Sequence, residues 1–275
     1  MAVRRRSLPF DFAEATRYLR TRDAVLARVI ATVPTTLELQ LRAALSPYEA
    51  LLEAIAYQSI SRKAAATIFS RVTALGEKGR PPSPQRMLAL RTPALRAAGL
   101  SGAKVQAMKD LARKTVAGIV PTLAEARRMS DEELVARLVA VRGVGVWSVE
   151  MFLIFRLGRP DVLPIHDLGV RKGWSLAYGK PHLPTPKELL AFGERWRPYR
   201  TVASWYLWRA CERAEQTSTV KIGSPPKAGK RPAKDARPRP RSGAAGGLSR
   251  VARQRRRAGR CPVERTRRFS RSSWT

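Results

Sequence analysis

The 275-residue sequence predicts an all-α fold followed by a basic tail that does not fold. Three observations carry that prediction. Helix-start signals recur throughout residues 1–216, the apolar residues behind them repeat at helical spacing, and strand-like alternation is hard to find. About eight to ten helices with short loops account for the pattern, and no internal repeat of fixed period is present.

In chain order, the opening MAVRRRSLPFDF is basic without an apolar core, which argues against a secretory leader. Ser46-Pro47-Tyr48-Glu49 places a capping hydroxyl, a proline at the first helical position and a glutamate at the third. Tyr48, Leu51, Leu52, Ile55 and Ala56 then form one apolar face. Ser83-Pro84 and Thr92-Pro93 are weaker starts of the same kind. Thr122 with Glu125, and Ser130 with Glu133, fit reciprocal capping boxes, as does Thr185-Pro186-Lys187-Glu188. Residues 217–275 contain proline, glycine and arginine with almost no apolar periodicity, so burial cannot offset the entropy of ordering them. The expected organisation is therefore a helical domain over 1–216 and a disordered tail over 217–275.

Composition narrows the function. Lys and Arg number 53 against 21 Asp and Glu, a net charge of +32. The stretch 221–275 carries 18 basic and 2 acidic residues, so half of the excess belongs to the part that folds. That points to a polyanionic partner, with the tail adding salt-sensitive phosphate affinity. No apolar run approaches the ~18 residues of a membrane helix. Two cysteines, Cys211 and Cys261, are too few for a structural zinc, an iron–sulfur cluster or a disulfide framework. The expectation is an intracellular protein, cytoplasmic and nucleoid-associated if bacterial. Cys211 reads as a small buried apolar residue.

The most informative stretch is SDEELVARLVAVRGVGVWSVEMFLIFRL, residues 130–157. A capped helix is expected over about 131–140. Arg142-Gly143-Val144-Gly145 interrupts it, and a second helix starts near Val146. The free N–H groups of that second helix suit a phosphate oxygen, so Gly143, Val144 and Gly145 are candidate phosphate contacts; equally, the turn reads as a tight helix connection. Asp167 follows Trp147 by twenty residues, delivered by a Gly/Pro-rich loop to the start of another helix. Taken alone it fits a helix cap.

Taken together, GVGVWSVEMFLIFRLGRPDVLPIHDLGVRKG resembles the helix-hairpin-helix and Gly/Pro…Asp core of the DNA base-excision glycosylases (the HhH-GPD superfamily), and within it the DNA-3-methyladenine glycosylase II branch in its compact form. LLEAIAYQSISRKAAATIFSRV is similar to the family's DNA-entering helix-loop-helix, ALRAAGLSGAKVQAMKDLA to the next segment, and ERWRPYRTVASWYLW to the closing helix; the likeness spans roughly 45–212.

The resemblance implies two helical lobes with a cleft between them and hydrolysis of the N-glycosidic bond of alkylated purines in double-stranded DNA. It makes Asp167 the catalytic carboxylate, which fits a reaction that builds positive charge on the sugar. It places Trp147, Trp208 and Met151 at the base pocket, where an indole face attracts a cationic base. Core packing is the alternative for each tryptophan; it is preferred for Trp205, and Tyr206 stays open. Trp147 stands where lyase-competent relatives carry lysine, and no lysine lies between Lys114 and Lys172, so a monofunctional enzyme is expected. Gln58, Ser59 and Ile60 fall in the loop that plugs the gap left by a flipped base. Ser59 departs from the family's larger residue, leaving Gln58 or Ile60 as the wedge. His166, where relatives carry an acid, reads first as a helix-start residue and otherwise as a modifier of the pH response. Relatives can hold a monovalent cation on hairpin carbonyls, here those of Val139, Val141 and Gly143. No other cofactor is expected, and the protein is expected to be a monomer. Two rivals remain: a non-catalytic alkylated-DNA-binding protein on the same fold, and a general basic nucleic-acid or ribosome-associated protein.

Overall fold

In a computed structural model, the described residues are 8–35, 39–41 and 46–220, with side chains to 215. The expected tail lies outside them from residue 221 onward. The described residues form thirteen α-helices: α1 (Phe12–Arg22), α2 (Ala24–Ala31), α3 (Pro47–Tyr57), α4 (Arg62–Ala74), α5 (Pro84–Ala89), α6 (Thr92–Ala97), α7 (Gly102–Val116), α8 (Leu123–Arg128), α9 (Asp131–Leu138), α10 (Val146–Phe152), α11 (Leu168–Ala177), α12 (Pro186–Gly193) and α13 (Arg200–Val220). A π-helical turn, Leu153–Leu157, continues α10, and a 3-10 turn, Glu194–Trp196, follows α12. The expected count of eight to ten is too low. Helices α5, α6 and α8 have six residues each, too short to show a periodic apolar face.

The capping signals fold as the sequence says they should. Ser46 with Glu49, Thr122 with Glu125, Ser130 with Glu133 and Thr185 with Glu188 all close reciprocal boxes. Thr92-Pro93 is the exception. Helix α5 ends at Ala89, so only Leu90 and Arg91 separate it from α6; Arg91 is the N-cap residue, and Thr92 lies inside α6 with no side chain capping the start. Helix α13 extends four residues past the expected domain boundary at 216.

The helices pack as two groups. Helices α3 to α7 and α9 and α10 pack among themselves, with α3 and α7 at the centre through Leu51, Leu52, Ile55, Met108 and Leu111. Helices α1 and α2 pack instead with α11 and α13. There, Leu19, Leu26, Trp196, Trp205 and Leu207 are fully enclosed, and Trp205 meets Phe12 edge-on at 5.5 Å. Buried Asp23 knits this second group. It caps α2 and accepts hydrogen bonds from the Tyr178 hydroxyl and from Trp196 Nε1 at 3.0 Å.

Two devices set the geometry of the second group. First, a Cβ at Gly173 on α11 would lie 2.0 Å from the Leu207 carbonyl oxygen of α13, so the two backbones touch as only glycine allows. Second, the loop before α11 is pinned to the start of α13. Arg200 grips Asp161 through Nε at 2.7 Å and Nη2 at 3.0 Å, and the Thr201 hydroxyl accepts from Val162 N and donates to the Arg159 carbonyl. Both devices fix where the loop ends, at Asp167. Among the described residues no helix is long and apolar enough to cross a membrane.

Candidate active site

Asp167 stands where the two groups of helices meet, and its carboxylate accepts four hydrogen bonds. It caps α11: Oδ1 accepts from Gly169 N at 2.7 Å and Val170 N at 2.9 Å. The cap alternative is therefore met in full, yet it accounts for only half of the bonds. Trp208 Nε1, from α13, donates to the same Oδ1 at 2.9 Å, and Trp147 Nε1, from α10, donates to Oδ2 at 2.8 Å. Two indoles twenty and forty-one residues away in sequence are aimed at one carboxylate. Four N–H donors fix both oxygens, with three on Oδ1 and one on Oδ2, so Oδ2 is the oxygen with lone-pair capacity to spare.

The supporting shell follows from the fold. Trp208 is buried beside Gly173's contact with Leu207 and stacks on Phe155 of the π turn, with ring centroids 5.8 Å apart and 27° between planes. Trp147 is half-buried in the first turn of α10, which no side chain caps. Trp205 is 1% exposed and belongs to the core, as preferred from sequence. Tyr206 is buried too, its hydroxyl 3.2 Å from that of Thr16 on α1. Cys211 is buried, its thiol 3.9 Å from Glu215 Oε1 one turn on. His166 is exposed. Met151, expected at the base pocket, is buried against α3, where it lines a niche with Ala50, Leu51, Ala54, Ser148, Phe152 and Arg156.

The hairpin folds as expected, although the two glycines differ. Gly143 is left-handed at φ +77, which demands glycine, whereas Gly145 has an ordinary backbone with open space where a Cβ would be. Val144 is 5% exposed and anchors the turn in the core, so only its backbone is on offer. Helix α7 braces the hairpin from behind: Asp110 Oδ2 accepts from Arg142 N at 2.8 Å and from Lys114, whose ammonium also reaches the Ala140 carbonyl. Burial pushes the Asp110 carboxyl up, but the bonds from Arg142 and Lys114 outweigh it and hold it low.

Gln58 does not project as a wedge. Its Nε2 donates to the Gly143 carbonyl at 2.9 Å, tying the α3–α4 loop to the hairpin. Ser59 holds a left-handed φ of 61, unusual for a residue with a Cβ, and Ile60 is the exposed apolar side chain of the loop. The Gly143 carbonyl thus already has a donor, and the Val141 carbonyl accepts from Val144 N at 3.0 Å. Each of these two carbonyls keeps a second lone pair. Among the described residues no group of three His, Cys, Asp or Glu side chains is placed to hold a metal.

One site residue escaped the sequence reading. Glu150 lies one turn after Trp147 on α10 and is 8% exposed; its Oε2 has no hydrogen-bond partner. Burial, reinforced by the charge of Asp167, pushes its carboxyl up to about 7. The signal was present, since Glu150 is a lone acid inside the apolar run VWSVEMFLIF.

Comparison with known proteins agrees with this geometry. The family model described as "HhH-GPD superfamily base excision DNA repair protein" matches residues 52–198, which hold the hairpin, Trp147 and Asp167. DNA-3-methyladenine glycosylase 1 of Schizosaccharomyces pombe is 40% identical over 175 residues, covering 64% of this chain and 77% of its own. The alkylbase DNA glycosidase-like protein mag2 of the same yeast is 30% identical over 201 residues, covering 72% and 93%. Among solved structures, the S. pombe 3-methyladenine DNA glycosylase in complex with abasic DNA superposes with a TM-score of 0.64 at 36% identity, over 71% of this chain and 95% of that one. A Bacillus halodurans DNA-3-methyladenine glycosidase gives 0.65 at 30% identity, over 78% and 94%. With the paired indoles on Asp167 and the hairpin in place, the chain belongs to the HhH-GPD superfamily of base excision DNA repair proteins.

Proposed function

We propose that this protein is a monofunctional DNA glycosylase that hydrolyses the N-glycosidic bond of alkylated purines in duplex DNA and leaves an abasic site. The single observation that carries the reading is Asp167 held by two indole N–H groups and two backbone N–H groups at the meeting of the two helix groups.

Breaking the bond leaves positive charge on the deoxyribose, and a fixed carboxylate beside the sugar lowers the cost of that charge. The four donors cannot rearrange without losing their bonds, so Asp167 meets the transition state without first reorganising. Oδ2, with one donor, is the oxygen that faces the sugar or the attacking water. A base alkylated at N3 or N7 is already cationic and departs neutral, so no strong acid is needed at the leaving group. The indole faces of Trp147 and Trp208 select such a base by stacking and cation–π attraction. The uncapped start of α10 and the Gly143–Gly145 turn hold the backbone of the lesion strand, and Ile60 fills the space the base leaves. Trp147 in the position of a lyase lysine removes the Schiff-base route. The names of the relatives above favour the alkylated-purine class, and the protein acts on DNA as a monomer without a cofactor.

The test is base release from randomly methylated duplex DNA by wild type and Asp167→Asn. Asparagine keeps the size but not the charge, so release falls about 10³-fold or more, with wild-type strand breaks appearing only after alkali. Tight lesion binding by both proteins with release by neither would instead favour the non-catalytic alkylated-DNA-binding reading.

A further inference from the structure

Glu150 is a buried carboxyl whose Oε2 makes no hydrogen bond, placed one turn from Trp147 and within electrostatic reach of Asp167. An unpaired buried polar group costs stability, and the helix around it is otherwise apolar. Asp167 is the charged neighbour that acts on Glu150. Of the other charged groups on the elements packed on α10, Glu53 of α3 pairs with Arg156 of the π turn, Glu49 with Arg80 and Asp131 of α9 with Arg159, while Glu132, Glu133 and Arg137 of α9 are exposed, as is His166 beside Asp167.

We propose that Glu150, a buried carboxyl with an unpartnered oxygen one turn from Trp147 on the helix that carries Trp147 to Asp167, is a positioning residue of the site that acts through Asp167 by adding a second negative charge to its surroundings. The inference rests on the glycosylase reading, because it needs positive charge to grow beside Asp167. In the ground state the charge of an alkylated purine sits on the base; in the transition state it has moved to the sugar, toward the carboxylate pair. The second charge therefore stabilises the transition state more than the bound substrate, which is the condition for a faster chemical step. The expected result is that single-turnover release rises about tenfold as pH climbs through neutrality, an effect of the size that one added charge at this range produces.

The experiment compares wild type, Glu150→Gln and Glu150→Asp. Glutamine fixes the neutral form and removes a buried charge, so the variant folds; aspartate keeps a titrating carboxyl. Single-turnover release of 7-methylguanine from methylated duplex is followed from pH 5.5 to 8.5, and in parallel the indole N–H resonances of Trp147 and Trp208, which report on Asp167 without any turnover, are followed by NMR. The proposal expects a neutral-range step in both readouts for wild type and Glu150→Asp, and its loss in Glu150→Gln. His166 is the same in all three proteins, so its contribution cancels in the comparison. A step unchanged in Glu150→Gln, or indole resonances that never move, overturns the proposal. A failure of every protein to release base, with the indole step intact, would strike the glycosylase reading and leave the Asp167–Glu150 coupling standing.

Discussion

Replacing Gly173 by alanine tests whether the contact of α11 with α13 sets the catalytic geometry. The new Cβ would lie 2.0 Å from the Leu207 carbonyl oxygen. An unstrained carbon–oxygen contact is about 3.3 Å, so the helices must separate by about 1.3 Å. Asp167 caps one of those helices, and Trp208 follows Leu207 on the other. Their 2.9 Å bond would stretch to roughly 4.2 Å, beyond hydrogen-bonding range. Overpacking costs about 1–3 kcal/mol, and the better helix propensity of alanine returns about 1 kcal/mol, so the fold survives with a modest loss. The site does not, because a displacement of about 1 Å costs on the order of 10²-fold in rate. Single-turnover base release and thermal unfolding measure the two effects separately. Gly102→Ala is the control, since nothing lies within 4 Å of a Cβ there. A Gly173→Ala protein with wild-type rate and wild-type melting would refute the argument that this contact positions Trp208.

Three further outcomes follow from other parts of the molecule. Trp208→Phe keeps a ring against Phe155 but deletes one donor to Asp167; a hydrogen bond to a charged group contributes about 1.5–3 kcal/mol, so single-turnover release falls about 10- to 100-fold with little change in KM. Ser59→Gly relieves a left-handed backbone and raises folding stability by up to about 1 kcal/mol, read as a higher denaturation midpoint; a lower midpoint would show that no strain is held there. Asp110 has its carboxyl held below the ordinary value of 3.8, against burial, by Arg142 and Lys114, so its stabilisation is present above that value and lost as pH falls through the lowered one. Denaturation of wild type and Asp110→Asn should accordingly show a gap at pH 7 that closes as pH falls below about 3.8.

The parts of the fold that depend on neighbours in sequence were legible in advance. Four capping boxes and the Gly143 turn rest on residues three or fewer positions apart, and all of them form. The family likeness brought Asp167, Trp147 and Trp208 together, although no local pattern says that both indoles point their N–H groups at the same carboxylate. What stayed hidden depends on approach in space. Gly173 looks like any helical glycine until the carbonyl of Leu207 is found against it. Gln58 has the chemistry of a wedge, and only the position of the Gly143 carbonyl 85 residues away turns it back. Met151 follows Trp147 by four residues, yet the packing of α10 on α3 buries it in a different niche.

The order of the helices has a consequence for how the protein comes into being. The group carrying Asp167 and Trp208 is assembled from both ends of the described chain, α1 and α2 from the beginning and α11 to α13 from the end, with α3 to α10 threaded between them as one continuous insert. During synthesis the insert has all of its partners as soon as α10 emerges, while α1 and α2 must wait with their apolar faces unfilled for more than a hundred residues. Contacts that span such separations are slow to close. The last of the described helices is also the one that brings the Trp208 donor, so a chain that lacks α13 has an Asp167 without its full set of bonds. The full set of donors on Asp167 is in this way withheld until α13 has been made.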